Sequence, residues 1–319
     1  MNALRNTESP LTLQATDLKS VYSDYLVFLG ASKKSDRTID TYRKAMKSFF
    51  VFLSSRDVTL PTEGDVLEYM TLLNEQKKTA STMSLYLSTI KTFFRFLSKR
   101  RLYENIAEDI ETPETDRDGL SKGYLSEDQE TSLLSVAMDS PRDYSLLFLM
   151  LTTGLRTTEV VNANIEDLQE TNGEFRLYVL GKGRKSKKDY VKVSDETLRL
   201  LRGYIGERTE GPLFLSESNR NTTNRLTTRS VSRIVKTALK KAGIDSPSIT
   251  AHSLRHTVAV QNLLQGGTLE ETRGLLRHRD IRTTERYSHE VERIRNRSEA
   301  RLSERLQAKM AEKTPLKVA

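Results

Sequence analysis

Cysteine is absent from this sequence of 319 residues. Its absence excludes disulfides, thiolate metal ligands and a cysteine nucleophile, and nothing points to an oxidising compartment. Histidine is scarce, with four in the whole chain, and no carboxylates cluster around them. A metal site is therefore not expected, nor any cofactor. No apolar run approaches the roughly 20 residues needed to span a bilayer, and the opening MNALRNTESP lacks the apolar stretch of a signal peptide. The expectation is a soluble cytoplasmic protein without membrane partners.

What is present is length and positive charge. The chain is long enough for about two domains, each with its own core. Net charge is +8, yet residues 1–119 hold 17 basic and 17 acidic side chains, so the whole excess follows residue 119. A basic field confined to one domain attracts polyanions and speeds their encounter. Charge alone leaves two readings open, a nucleic-acid partner and a merely solvated basic surface.

The first part reads as four helices. Leu18, Val21, Tyr22, Tyr25, Leu26 and Leu29 recur at three- and four-residue spacing, and Ile39, Tyr42, Met46, Phe49, Phe50 and Leu53 repeat that face. A third helix, GDVLEYMTLL, follows Pro61 and Thr62, with Thr62 suited to cap it. The fourth, TMSLYLSTIKTFFRFLSKRR, ends in a basic cluster. Because the aromatic stripes keep the helical period, they read as core. A polar stretch with Pro113 and Gly119, residues 111–124, reads as a linker. The expected domains are 14–110, 125–294 and a C-terminal segment, 295–319.

In the second part, the apolar helix SLLFLMLTTG stops at Gly154. FRLYVLGKGRKSKKDYVKV has β-rich flanks around a basic turn, so a hairpin is expected with Lys182, Arg184, Lys185, Lys187 and Lys188 at or near its tip. Helices resume in SDETLRLLRGYI, TRSVSRIVKTALKKAG, SLRHTVAVQNLL and TLEETRGLLRH. The class is mainly α with a small β-sheet.

Candidate chemistry comes from residues far apart in the chain. Arg156 follows a helix-breaking glycine, where it can project into a cleft. His252 and Arg255, three apart, share a helix face and set a titratable ring beside a permanent cation. Alone, such a pair is more often a surface or capping pair. His278 precedes Tyr287 by nine residues, and in one unbroken helix that step turns through about 900°, leaving the two on opposite sides. A break near Asp280, itself a good N-cap, would reunite them. Tyr287 is set among Arg279, Arg282 and Arg286 with little neighbouring apolar sequence to bury its ring.

The ordered set TGLR, GKG in a basic hairpin, HSLRH, and RH nine residues before RY resembles the tyrosine recombinases, or phage integrase family, over nearly the whole chain. The resemblance implies an N-terminal SAM-like core-binding domain and a C-terminal catalytic domain that together form a C-shaped DNA clamp. It matches Arg156 and Arg255 to the phosphate-binding arginines, Lys182 to the hairpin lysine, His252 and His278 to the active-site histidines, and Tyr287 to the nucleophile. Glu159 matches an acidic position that supports the arginine. The chain departs from the family in carrying Arg277, not a small residue, before the second histidine.

Chemistry explains such a set. Breaking a phosphodiester needs a nucleophile, cations for the non-bridging oxygens and a proton for the leaving 5′-oxygen. Arginines present paired N–H donors and stay charged. A phenol of pKa ~10 is ionised about once in a thousand at pH 7, a cost of roughly 4 kcal/mol, which neighbouring arginines and an imidazole are expected to reduce. Lys182 is the expected general acid, with Lys185 the runner-up; Lys187 and Lys188 are expected to touch DNA phosphates. Arg229, Arg233 and Lys236 mark a candidate recognition helix.

Ile294, Leu302 and Leu306 form a thin apolar seam suited to docking. By resemblance, the tail from about residue 295 links four subunits on two duplexes. The implied partners are double-stranded DNA recombination sites, a homotetramer on DNA and accessory DNA-bending proteins. Three functions stay in view: site-specific recombination, serving mobile-element integration or Xer-type dimer resolution; topoisomerase-like nicking and closing; and DNA binding without catalysis.

Overall fold

The computed structural model describes residues 18–32, 34–113, 123–181, 186–217 and 224–313. The chain divides into two compact units, Met1–Asp116 and Arg117–Ala319.

The described residues of the first unit hold the four expected helices: α1 (Leu18–Ala31), α2 (Asp36–Ser54), α3 (Glu63–Glu75) and α4 (Ala80–Lys99). Ser35 and Thr79 accept from the N–H groups of Thr38 and Thr82, so side-chain oxygens start α2 and α4. Tyr25, Phe49, Tyr69, Phe93 and Phe94 are all buried. Edge-on pairs such as Tyr25–Phe93, with centroids 5.2 Å apart, make these aromatics core as their period implied.

The second unit is also mainly helical. It begins with α5 (Glu127–Ser135), α6 (Pro141–Thr153) and the short α7 (Thr157–Asn162). A three-stranded antiparallel sheet follows in the order β1 (Leu168–Thr171), β2 (Glu174–Val179), β3 (Asp189–Val193). Leu177 lies opposite both Leu168 and Val191, which fixes the face turned to the core. Then come α8 (Asp195–Ile205), α9 (Thr228–Lys241), α10 (Ala251–Leu264), α11 (Leu269–Leu276), α12 (Arg282–Arg295) and α13 (Ser298–Lys313).

Helix α10 carries ten buried residues in 14, from Ala251 to Leu263. A helix buried on most of its faces must be central. It packs against α6, α9, α11 and α12, and this central placement gathers the site. The face of α13 with Leu302, Leu306 and Met310 is exposed. Among the described residues, no helix is long and apolar enough to cross a membrane.

Candidate active site

The site starts from one glycine. Gly154 closes α6 in the left-handed conformation, φ 60° and ψ 29°, and its N–H reaches the Met150 carbonyl at 3.0 Å. A Cβ there would lie 2.7 Å from Cδ2 of Leu276, so α6 and α11 meet where only glycine fits. The chain then runs through buried Leu155 to Arg156, the residue capping α7. Glu159, in the first turn of α7, accepts from the Arg156 backbone N–H at 2.8 Å and from its Nη1 at 2.7 Å. Arg156 is thus held at both ends. Glu159 is almost fully buried; burial alone would raise its carboxyl, but Arg277 and Arg156 outweigh it and hold the pKa below the usual range.

Arg255, on α10, is 2% exposed. Its Nη1 donates to the Gly154 carbonyl at 2.5 Å and its Nη2 to the Leu276 carbonyl. One guanidinium therefore joins the ends of α6 and α11. Burial, then Arg156 and Arg277, push its pKa down to about 9, still cationic at neutral pH. Two nitrogens are spent partly on backbone, so the freely offered fork expected from sequence is in part a structural tie.

The helical path is interrupted between Leu276 and Arg282, as expected near Asp280, although Ile281 and not Asp280 stands at the cap position of α12. The Asp280 carboxylate accepts from the Arg282 N–H at 3.0 Å. Nδ1 of His278 lies 2.9 Å from Oγ1 of Thr284. Burial first, then Arg255, Arg156, Arg286 and Arg277, drive the His278 pKa to about 3, so its ring is neutral at pH 7.

Tyr287 corrects two expectations. Its ring is 2% exposed, packed with Val258, Leu263, Leu276 and Val291. Apolar residues of α10 and α11, distant in sequence, bury what its own neighbours could not. Its pKa is raised, because burial exceeds the lowering by Arg286, Arg255 and Arg156. In the free chain the cations reduce the cost of phenolate without cancelling the cost of burial. The hydroxyl lies 2.6 Å from Nδ1 of His256, and Nη2 of Arg286 lies 3.0 Å from the same nitrogen.

A cavity of about 840 Å³ is lined by Arg156, His252, Arg255, His278 and Tyr287, together with Arg277, Arg279 and Arg286. Five of the six residues expected to be catalytic thus border one space. The sixth, Lys182, lies outside the described residues, as do Arg184 and Lys185. Gly181, immediately before Lys182, lines the same cavity. Lys187 forms an ion pair with Asp167, so its charge is already partly compensated within the chain, whereas Lys188 is exposed. Arg229, Arg233 and Lys236 are exposed on one side of α9, away from buried Val231 and Val235, and line a shared groove. Among the described residues no three His, Asp or Glu side chains stand close enough to hold a metal ion.

His256 escaped sequence reasoning, while Arg286 was named only as a basic neighbour of Tyr287 and Arg277 only as a departure from the family pattern. His256 follows His252 by one helical turn, and their rings meet edge to face with centroids 4.7 Å apart. That spacing was the signal that could have found it.

With this geometry, the sequence pattern of the phage integrase family matches residues 123–293. The chain belongs to the phage integrase family. The N-terminal SAM-like domain of phage integrases matches residues 23–104. Tyrosine recombinase XerD of Oceanobacillus iheyensis is 33% identical over 192 residues, covering 56% of this chain and 61% of that protein. Tyrosine recombinase XerC of Caldanaerobacter subterraneus is 31% identical over 176 residues, covering 52% of this chain and 47% of that protein. The matched part thus spans about half to three fifths of those relatives' length. Among solved structures, a lambda integrase (75–356) dimer bound to a COC′ core site aligns with TM-score 0.65 and 20% identity over 83% of this chain and 96% of that one. XerH site-specific recombinase bound to palindromic difH substrate aligns with TM-score 0.68 and 18% identity over 88% and 83%. At these identities the likeness to both structures is one of fold.

Proposed function

We propose that this chain is a site-specific DNA recombinase that cuts and rejoins DNA through a 3′-phosphotyrosyl intermediate on Tyr287. The observation that carries the reading is the single cavity in which Tyr287 meets Arg156, Arg255, His252 and His278.

Arg156 and Arg255 neutralise the non-bridging oxygens of the scissile phosphate. The Tyr287 oxygen attacks phosphorus as its proton leaves toward an imidazole, the P–O5′ bond breaks, and Lys182 protonates the departing 5′-oxygen. Neutral His278, a weak base at a pKa of about 3, is suited to hydrogen-bond the phosphate, and His252 lines the same cavity. A 5′-hydroxyl attacking the phosphotyrosine reverses the step, so rejoining needs no external energy.

Double-stranded DNA is the partner. Glu159 supports Arg156, while Arg229, Arg233, Lys236, Lys188 and the hairpin residues Arg184 and Lys185 supply contacts to the duplex, with Lys187 available once it leaves Asp167. We assign residues 295–319 to subunit exchange in a homotetramer, on the exposed apolar face of α13. Accessory DNA-bending proteins belong to the same proposal. Integration and excision of a mobile element is the main reading of its biological role. Xer-type dimer resolution is the second, favoured by the Xer recombinases among the relatives.

Target sites selected from a random duplex library test the activity. Paired sites on a plasmid should recombine, and a plasmid without them should not be relaxed. Relaxation of the site-free plasmid would identify a topoisomerase-like enzyme instead. Lys182→Ala should regain cleavage on a substrate with a better 5′ leaving group; without such rescue, Lys182 is not the acid.

A further inference from the structure

Arg277 occupies a position that a side chain should avoid. It ends α11 in the left-handed conformation, φ 55° and ψ 43°, which costs an L-residue about 1–2 kcal/mol and glycine almost nothing. Strain that persists beside a functional cavity calls for a compensating interaction. The Arg277 side chain is 9% exposed and its partner Glu159 1% exposed, with Nη2 donating to Oε2 at 2.8 Å. Nη1 donates to the Leu275 carbonyl at 2.8 Å, and Nε is buried without a hydrogen-bond partner.

We propose that Arg277 is a positioning residue: it shares Glu159 with Arg156, and so fixes the direction of Arg156 while leaving that guanidinium enough unspent charge to take a phosphate. The inference rests on the assignment of Arg156 to the phosphate made above.

Glu159 alone against Arg156 would be a neutral pair, poorly suited to an anion. With Arg277 added, two cations divide the Glu159 carboxylate and the trio keeps one positive charge, with Asp189 on the same cavity the further carboxylate that acts on Arg277. Oε2 receives both the Arg156 N–H and the Arg277 guanidinium, so a shift of either moves the other. Arg277 also holds the last turn of α11, whose next carbonyl, that of Leu276, accepts from Arg255. It therefore stands between the two arginines assigned to the phosphate.

Its charge reaches His278 too. The groups facing that ring are Arg255 from α10, Arg156 at the head of α7, Arg286 from α12 and Arg277 itself, with Asp189, His252, Arg279, Asp280 and Tyr287 around the same cavity. Removing one of the four cations should raise the His278 pKa.

The test is Arg277→Gly, which removes the guanidinium and gives the backbone its easiest residue. Formation of the covalent protein–DNA adduct is measured in a single turnover at saturating selected duplex. The rate should fall by about tenfold to a hundredfold, as for a slightly misplaced catalytic group, with DNA affinity changed far less. Millimolar methylguanidine should restore part of the rate and methylamine none. Arg277→Lys should stay impaired, because an ammonium lacks the fork. In the DNA-free protein, the His278 ring should titrate at higher pH by NMR in Arg277→Gly than in the wild type.

A wild-type rate in a folded Arg277→Gly, or a loss that methylguanidine does not touch with an unmoved His278 titration, overturns the proposal. Should the glycine variant not fold, Arg277→Asn takes the same measurements, since asparagine tolerates left-handed backbone. Wild-type protein is the control that separates the two claims. No adduct there counts against Tyr287 chemistry, whereas a normal wild-type adduct with an indifferent variant counts against Arg277 alone.

Discussion

The hydroxyl of Tyr287 lies 2.6 Å from Nδ1 of His256, 31 positions earlier in the chain. Both residues are 2% exposed. A guanidinium can only donate, and Nη2 of Arg286 approaches the same nitrogen at 3.0 Å. The same Nη2 lies 3.3 Å from Nε2, so the His256 ring, the phenol and the Arg286 guanidinium form one polar cluster.

Replacing His256 by leucine should leave the buried hydroxyl with Arg286 as its remaining polar neighbour. We expect a loss of about 1–3 kcal/mol in denaturant unfolding. Adding Tyr287→Phe to His256→Leu should recover part of it, giving a coupling of roughly 0.5–3 kcal/mol. Strictly additive losses would show that the bond contributes nothing.

Acid should weaken the fold in a defined window. The His278 pKa is about 3 in the folded chain against an ordinary 6.5. Between those values the unfolded state binds a proton that the folded state refuses, so stability is complete above pH 6.5 and declines as pH falls toward 3. Depressed Glu159 adds a loss in the same direction at lower pH. Unfolding at pH 7, 6, 5 and 4 should therefore be less acid-sensitive in His278→Asn than in the wild type. Equal slopes would mean that His278 is not held neutral.

Gly154→Ala should be severe. Its φ of 60° and the 2.7 Å approach of Leu276 Cδ2 combine backbone strain with overpacking, and a loss of at least about 2 kcal/mol is expected. Adduct formation should fall as well, because the Gly154 carbonyl holds Arg255. Gly173→Ala, at φ 77° with open space around it, should cost only about 1 kcal/mol and leave cleavage intact. Thermal unfolding and single-turnover cleavage of the two variants check this contrast.

On α9, Arg233→Ala and Lys236→Ala should each lower the slope of log affinity against log salt by about one if they bind phosphates. A loss confined to particular base pairs, with the salt slope unchanged, would make them sequence readers.

The sequence was most legible where local pattern and final packing agree. The aromatic stripes of α2 and α4 became core, and Gly154 ended α6 because a left-handed stop favours glycine and Leu276 leaves no room for a Cβ. Helix α5 was not foreseen, since of its nine residues only Leu133 is buried and no apolar period forms. Strand β1 was overlooked although Asn172 and Gly173, both at positive φ, are a common two-residue hairpin turn. The site was legible as a set of reactive groups but not as an environment. Burial of Tyr287 depends on α10 and α11, and compensation of Lys187 by Asp167 crosses 20 positions. Such long-range desolvation has no local signature, which is why the Tyr287 pKa moved opposite to expectation.

The most direct test of the central claim is to find the covalent bond itself. Protein incubated with selected duplex is denatured, digested with nuclease and trypsin, and analysed by mass spectrometry. The account predicts a nucleotide 3′-phosphate on the peptide spanning residues 287–293, attached at Tyr287, and no such adduct from Tyr287→Phe. An adduct on another residue, or one that survives Tyr287→Phe, would contradict it.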